Sequence, residues 1–466
     1  MRRGIVKAFR VTLLVAIFCS FLLSGGSKKG EISSQLLERL EKSVLEDSDL
    51  KAIRNAVSNN NIKDLVLNRD VLNSIDKHFA YRIETGGITD QKSSGRCWLF
   101  ASLNVLRPRV LKNLNVEDFE FSQNYLFFYD LLEKSNLFLE AVIETRKEEP
   151  DSRKVEWLFK HPIQDGGVWS MAVDLIKKYG VVPKEVFGES YNSENTSTMR
   201  RLLARKLRED GIRLRELSRK GYSIRKLRSE KEKMLEDVYR LLVIFLGQPP
   251  HKFGWRYEDK EGNLHPLREY TPQSFYKEVV GVNLDDYVML MDDPSKEYYR
   301  LYEIEYDRDL WEGRNWKFVN VPSSELKVYA KKSILSDEPL YFSCDVGKQL
   351  YRKEGLLALG LYDYSSLLGV EFGMDKRRRI LTFDSGSTHG MSLVGIDTTA
   401  DGKITKWLLE NSWGSDDGFQ GYLIMTDRWF DEYMFRIVIH KRFLPERIVK
   451  VWQSKPILLP PWDPMF

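Results

Sequence analysis

Apolar residues recur mostly at helical spacing through the first half of the chain, whereas in the last third they form short runs bounded by Gly, Asp and Ser. Residues 31–72 are polar with Leu36, Leu37, Leu40 and Val44 at helical intervals and a break at Asn59-Asn60-Asn61, which predicts a helical lead-in. Loop-forming residues occupy 81–95. At Cys97 the pattern changes: Trp98, Leu99, Ala101, Leu103, Val105 and Leu106 predict a buried helix that starts there and ends at Pro108. A Gly-rich turn at 164–167 leads into a helical stretch through Met171, Val173, Leu175 and Ile176, closed by Gly180 as a C-cap. The cluster Asn195-Thr196-Ser197-Thr198 caps a long helical pattern that reaches Leu246. Residues 249–313, rich in Tyr, Asp and Pro, read as strand and loop. Apolar runs at 340–342, 391–396, 407–409 and 422–425 then predict strands. There is no internal repeat, and the pattern suggests two lobes, one helical and one β-rich, with a helical insertion between them.

The 466 residues are 42% apolar, 12% aromatic and 30% charged. That is a soluble globular composition, and it excludes disorder, collagen-like repeats and a polytopic membrane protein. Lys plus Arg number 72 against 68 for Asp plus Glu, so the net charge of +4 provides no global field for a polyanionic partner. One segment departs from this balance: between Arg200 and Lys233 there are fourteen basic against five acidic residues. Such a stretch is either a nucleic-acid or membrane-surface patch or a solvated helical face with Leu203, Leu207, Leu214 and Leu217 turned inward. The second is favoured, because only Tyr222 interrupts it as a possible base-stacking residue.

Three cysteines, Cys19, Cys97 and Cys344, exclude a disulfide framework. Arg2, Arg3, Lys7 and Arg10 precede an uncharged run of 13 residues and then Ser24-Gly25-Gly26, the layout of a signal peptide over 1–26. A stable span takes about 20 residues, so export is expected, with an uncleaved membrane tether as the alternative.

The candidate chemistry begins at Gln91-Lys92-Ser93-Ser94-Gly95-Arg96-Cys97-Trp98. A thiol at the first turn of a buried helix meets unpaired N–H groups and the positive end of the helix dipole, which favour the thiolate. Gln91, in the loop wrapping the helix start, can aim its amide at the same point as the Cys97 N–H and complete an oxyanion hole. A cysteine there could equally be packing alone, so a partner has to decide. Of the six histidines, His389 heads an apolar strand. If Asp401 and Gly402 form the turn after that strand, Asn411 falls opposite Ser392, within about three positions of His389. Its amide oxygen could then hold the imidazole tautomer.

These residues also spell a family. Gln91 to Trp98, His389 and Asn411-Ser412-Trp413-Gly414 resemble the papain-like cysteine peptidases, whose Cys, His and Asn come in this order. The stretch from Gln91 to Phe100, with 121–128, 165–169, 178–183, 344–348, 410–433 and the ending Leu459-Pro-Pro-Trp-Asp-Pro-Met465, is similar to the bleomycin hydrolase and aminopeptidase C branch. The likeness extends from about residue 50 to the terminus.

The resemblance implies an α+β, papain-like two-lobed fold with a large helical insertion and a C-terminal arm in the cleft. The corresponding segments are a helical lobe at 27–195, the insertion at 196–330, a β-rich lobe at 331–455 and the arm at 456–466. It further implies that Cys97 is the nucleophile, His389 the acid/base, Asn411 the orienter and Gln91 the oxyanion donor. Trp413 would roof the Asn411–His389 bond, and Asp165, Gly166 and Gly167 would lie along the cleft and bond substrate backbone. Cys344 reads as a structural cysteine. No metal or cofactor is called for. The arm, stiffened by Pro460, Pro461 and Pro464, would present its terminal carboxylate to a substrate ammonium, making the activity that of an aminopeptidase on peptides. Relatives continue differently after the Met, so Phe466 either alters which residue is accepted or is trimmed. The family also implies a homohexamer. The leader is a second departure, since relatives mostly look cytoplasmic. A nucleic-acid or surface-binding scaffold is the competing reading.

Overall fold

The computed structural model describes residues 29–45 and 49–465, so the leader expected at 1–26, Cys19 and Phe466 lie outside the described residues. The chain divides into two units, one made of residues up to Val66 with Tyr364–Val370, the other of the remainder. The first contains helices Ser34–Leu45, Leu50–Asn59, Ile62–Leu65 and Tyr364–Leu368. The asparagine break is used as a boundary: Asn60 is extended, and the Asn61 side chain accepts from the Lys63 N–H at 3.2 Å to start the next helix.

In the second unit the main helices are α1 (Cys97–Leu114), α2 (Gln123–Glu144), α3 (Trp169–Tyr179), α4 (Thr196–Arg219), α5 (Ile224–Leu246) and α6 (Ser323–Ile334). Pro108 does not end α1, contrary to the expectation from sequence. The helix continues to Leu114 and closes on Asn115 in the left-handed region. A proline inside a helix costs about 3 kcal/mol, but every residue from Trp98 to Arg107 is buried, and that packing outweighs the lost bond. Gly180 closes α3 with φ +75°, and a side-chain carbon there would lie 2.2 Å from the Pro272 carbonyl carbon, so only glycine fits.

The single helical pattern expected over 196–246 is instead a hairpin of α4 and α5. Gly221 turns the chain at φ +84° and Ser223 caps α5 by accepting from the Lys226 N–H. Leu203, Leu207 and Leu214 are buried and both helices pack on α2. Arg201, Arg205 and Arg208 face solvent. Other basic residues are spent on ion pairs, Arg213 with Glu230 and both Arg228 and Lys231 with Glu140, so the basic stretch is a solvated and paired face.

The sheet is large. Among the described residues it contains β1 (Tyr81–Arg82), β2 (Tyr287–Met291), β3 (Leu301–Ile304), β4 (Lys317–Asn320), β5 (Leu340–Cys344), β6 (Leu350–Tyr351), β7 (Leu356–Leu357), β8 (His389–Thr398), β9 (Ile404–Glu410), β10 (Tyr422–Thr426), β11 (Met434–His440) and β12 (Ile457–Leu459). Their order is β12-β3-β4-β2-β11-β5-β8-β9-β10-β7-β6, with β1 on the far half of β8. Strands β2 to β4, from the 196–330 segment, are thus continuous with the strands that follow.

Alternation along the central strands divides their side chains between two layers. Val288, Leu290, Phe342, Ile437 and Ile439 pack with Leu326 and Ala330 of α6, while Met289, Tyr341 and Val438 join the core that contains Trp98 and Leu99 of α1. Helix α1 therefore lies on one face of the sheet and α6 on the other. No helix among the described residues is long and apolar enough to cross a membrane.

Candidate active site

Cys97 is the first residue of α1, where its N–H has no acceptor within the helix. The helix start is held by the loop before it. Arg96, fully buried, pairs with Glu189 at 2.9 Å, and Gly95 donates its N–H to Asp165 Oδ2 at 2.9 Å. A side chain on Gly95 would collide with that carboxylate at 2.5 Å.

His389 opens β8, and Asn411 follows the last residue of β9. The hairpin that joins them pairs Gly395 with Leu408 and Asp397 with Lys406, the register expected from sequence. A bulge between Leu393 and Gly395 then slips it by one, so that Ser392 faces Glu410. The turn itself is longer than the two residues expected: Gly402 donates to Thr399 O at 2.8 Å and takes φ +81° after a four-residue turn.

The result brings His389 Nε2 to 2.8 Å from Asn411 Oδ1. The Ser412 N–H donates to the same oxygen at 2.8 Å, which identifies that atom as the acceptor and makes Nε2 the protonated nitrogen. With Nε2 committed, Nδ1 is the nitrogen left for the hydrogen bond between His389 and the Cys97 thiol. Burial pushes the thiol up, but the imidazolium charge, the His389 bond and the backbone N–H groups of Gly390 and Trp98 outweigh it and hold Cys97 below the ordinary thiol value. Burial likewise works against the imidazolium, and the Cys97 charge with the bonds to Cys97 and Asn411 raises His389 above its ordinary value. Opposite shifts in facing partners favour a thiolate–imidazolium pair. Trp413 lies with its ring centroid 4.9 Å from that of His389, and the Arg352 guanidinium sits over the Trp413 ring at 4.7 Å.

Gln91 is buried beside the same hairpin. Its N–H donates to Ser412 O at 2.8 Å and its Oε1 accepts from Ser412 Oγ at 2.7 Å, which fixes the amide so that Nε2 is the outward donor. One Nε2 hydrogen goes to Ser94 O at 2.6 Å, three residues before Cys97, leaving the other for a ligand.

The segment Asp165-Gly166-Gly167 is pinned beside the nucleophile. The Asp165 carboxylate is occupied by the Gly95 N–H and the Thr196 hydroxyl, and its carbonyl accepts from Trp98 Nε1 at 2.9 Å. Burial opposes the charge on Asp165, but these bonds and Arg200 hold its carboxyl below the usual range. Gly167 packs so closely that a side-chain carbon would sit 2.7 Å from the Trp98 ring, whereas Gly166 faces open space. Asp165 is thus a brace whose side chain is already used, and at Gly166, whose carbonyl is taken by Lys134, the N–H is the backbone group left for a ligand.

Several contributing residues gave no motif signal in the sequence. Lys134 of α2, buried, donates to Asp130 at 2.9 Å and to the carbonyls of Gln164 and Gly166 at 3.2 and 2.6 Å, holding the braced segment over Trp98. Arg107 of α1 meets Glu410 of β9 at 2.6 Å with both side chains fully buried, and burial pushes the Glu410 carboxyl up to about 7 in spite of Arg107. A charge placed directly at the end of an apolar strand run, as in Trp407-Leu408-Leu409-Glu410, is the signal that could have found this pair. Cys344 is a buried free thiol opposite His389 in the sheet, held well above the ordinary value by burial. Among the described residues no group of three His, Cys, Asp or Glu could hold a metal ion.

The chain's end returns to this face. β12 runs parallel to β3, Asp463 closes a turn on Pro460 O at 3.0 Å, and Met465 is buried with its carbonyl bonded to Arg436 of β11. The Pro464 carbonyl passes Gly386, in the loop just before His389.

Comparisons with known proteins agree on one group. The model of the Peptidase C1-like family matches residues 31–466. Human (Homo sapiens) bleomycin hydrolase is 39% identical over 445 residues, covering 93% of this chain and 98% of its own. Aminopeptidase C of Lactobacillus helveticus is 38% identical over 440 residues with the same coverage. The crystal structure of PepW from Lactobacillus rhamnosis superposes with a TM-score of 0.91 at 40% identity, covering 94% of this chain and 99% of that one.

Proposed function

The chain belongs to the Peptidase C1-like family and has its papain-like mixed α/β fold, and from that premise we propose a cysteine aminopeptidase that hydrolyses peptides from their amino termini, with Cys97, His389, Asn411 and Gln91 as its working residues. The observation that carries this is the unbroken hydrogen-bonded series from the Cys97 thiol through His389 to Asn411.

In this mechanism the Cys97 thiolate attacks the carbonyl carbon of the first peptide bond. The oxyanion is held by the Cys97 N–H and the remaining Nε2 hydrogen of Gln91. His389 gives the Nδ1 proton to the departing amine and then takes one from water, which cleaves the thioester and restores the thiolate. Asn411 keeps Nδ1 aimed at the sulfur throughout, and the backbone at Gly166 aligns the substrate. Helices α1 to α3 form one lobe and the strands of the main sheet, β2 to β4 included, form the other, with the hairpin of α4 and α5 inserted between them in chain order. The C-terminal arm, whose Met465 is fixed on the nucleophile's face of the sheet, closes one end of the cleft, where its terminal carboxylate would meet the substrate's ammonium. A fixed anion at a closed end admits free amino termini and rejects internal chain. We also read residues 1–26 as an export leader and the enzyme as a homo-oligomer, on family resemblance and leader composition alone.

The test uses fluorogenic amino-acid amides and their N-acetylated counterparts, before and after alkylation of the thiol. Hydrolysis of the unblocked set only, lost on alkylation, is the expected result. Equal hydrolysis of the blocked set would refute the aminopeptidase reading, and activity that survives alkylation would refute the nucleophile.

The pH profile is expected to follow from the two shifts. Cys97 is depressed, so kcat/KM rises with pH through a limb below the ordinary thiol value of 9.0 as the thiolate forms. His389 is raised, so the imidazolium persists above 6.5 and the falling limb lies above that value, giving a bell-shaped profile. A rising limb at or above pH 9.0, or a falling limb at or below 6.5, would contradict the ion pair.

A further inference from the structure

Arg436 of β11 is a buried cation that no step of the reaction uses. In the sheet it faces Ser343 of β5, which in turn faces Gly390 of β8, the residue after His389. Directly opposed residues share a face. That face is the one toward α1: Val438, two residues on from Arg436, packs in the α1 core, and a side-chain carbon on Gly390 would lie 3.3 Å from Trp98 Cα. Arg436 therefore stands two strands, about 10 Å, from the residue next to the catalytic imidazole and on the nucleophile's side of the sheet.

The residue is 4% exposed, and its guanidinium stacks on Trp316 at 5.0 Å. One terminal nitrogen donates to the Met465 carbonyl, and Nε makes no hydrogen bond. The neighbouring counter-charges are the buried Asp307 carboxylate and Asp463. Keeping a cation at such depth is costly, and the group it spends a hydrogen bond on is the carbonyl of Met465, the last described residue of the arm. A second pin lies two residues earlier. Lys296 pairs with Asp463 at 3.1 Å and with Asp293 at 2.7 Å, while Asp463 Oδ1 accepts the Met465 N–H at 3.0 Å. The arm before this point is held differently, by strand pairing, with Ile457 and Leu458 exposed.

We infer that Arg436, assisted by Lys296, is the specificity-determining anchor of the arm: by fixing the Met465 carbonyl it sets how far the tip reaches into the cleft, and so how many substrate residues fit ahead of the scissile bond. This rests on the reading of the arm as the closed end of an aminopeptidase cleft.

The experiment compares the full-length protein, Arg436→Met, Arg436→Lys, Lys296→Met and a chain ending at Leu459. Each is assayed on an unblocked amino-acid amide, its N-acetyl counterpart and an N-blocked tripeptide amide. Arg436→Met is expected to lower the ratio of unblocked to blocked kcat/KM by about tenfold or more, what one hydrogen bond to a charged group is worth, with gain on the tripeptide exceeding gain on the N-acetyl amide. Arg436→Lys, which can still donate to the carbonyl, should restore most of the ratio. If the shortened chain loses its preference for free amino termini while Arg436→Met keeps the full-length ratio, the anchor is wrong and the arm reading stands. If the shortened chain keeps its preference, the arm reading itself fails, and the anchor with it. Should Arg436→Met not fold by circular dichroism, Lys296→Met decides: the same shift supports the anchor and an unchanged ratio overturns it.

Discussion

Cys97→Ala is expected to lower kcat for an unblocked amino-acid amide by about 10⁶, the scale seen when the nucleophile of a comparable constellation is removed, and to leave the fold in place. The sulfur matters because it stands at the start of α1 and is the nucleophile to which His389 is hydrogen-bonded, with the other imidazole nitrogen held by Asn411. The fold is spared because the helix does not depend on this side chain for its start: Gly95 is tied to Asp165 and Arg96 to Glu189. Alanine is also a good helix former. The check is kinetic assay with thermal unfolding by circular dichroism. Residual turnover within about tenfold of the parent, or a melting temperature lowered by more than about 10 °C, would contradict one half of the expectation or the other.

Gln91→Ala comes next in size. Removing one oxyanion donor costs about 10² to 10³ in kcat, and the geometry here is rigid enough for the full amount. The Gln91 main chain is held by the Ser412 carbonyl, and its side-chain amide is oriented by the Ser412 hydroxyl and the Ser94 carbonyl. The loss should appear in kcat with KM little changed, because the oxyanion exists only in the transition state. Equal loss in binding of a non-hydrolysable substrate analogue would mean that Gln91 shapes the pocket and does not stabilise the oxyanion.

The sequence exposes the hairpin arithmetic because its parts are local. His389 and Asn411 are joined by one turn, and the register follows from alternation up to Gly395, where a side-chain carbon would sit 2.9 Å from Leu408, and slips at the bulge between Gly395 and Leu393. Cys97 is legible for a related reason, the abrupt change from loop residues to an apolar helix. What stays hidden depends on distant contacts. The persistence of α1 beyond Pro108 is a matter of burial on all sides, which local propensity does not report. The joining of β2 to β4 into the main sheet comes from pairings such as Leu290 with Val319 and Arg436 with Met291, separated by long stretches of chain. The break at Gly221 is the one local feature overlooked: a glycine followed by Ser223 is a helix end and a new cap. Among candidate site residues, Asp165 belongs to a segment that the resemblance places along the cleft, and its carboxylate is bonded within the protein to Gly95 and Thr196, contacts that no local pattern reveals. Lys134 and Arg436 look like ordinary surface charges until burial shows otherwise.

The buried pair of Arg107 and Glu410 joins the helix that begins with Cys97 to the strand that ends beside Asn411. Parting those two elements would strand one charge without its partner in an apolar interior, a cost of about 3 to 5 kcal/mol. Cysteine and asparagine are consequently locked to a shared keel, so that the machinery has no inexpensive way to drift out of alignment and fails as a piece.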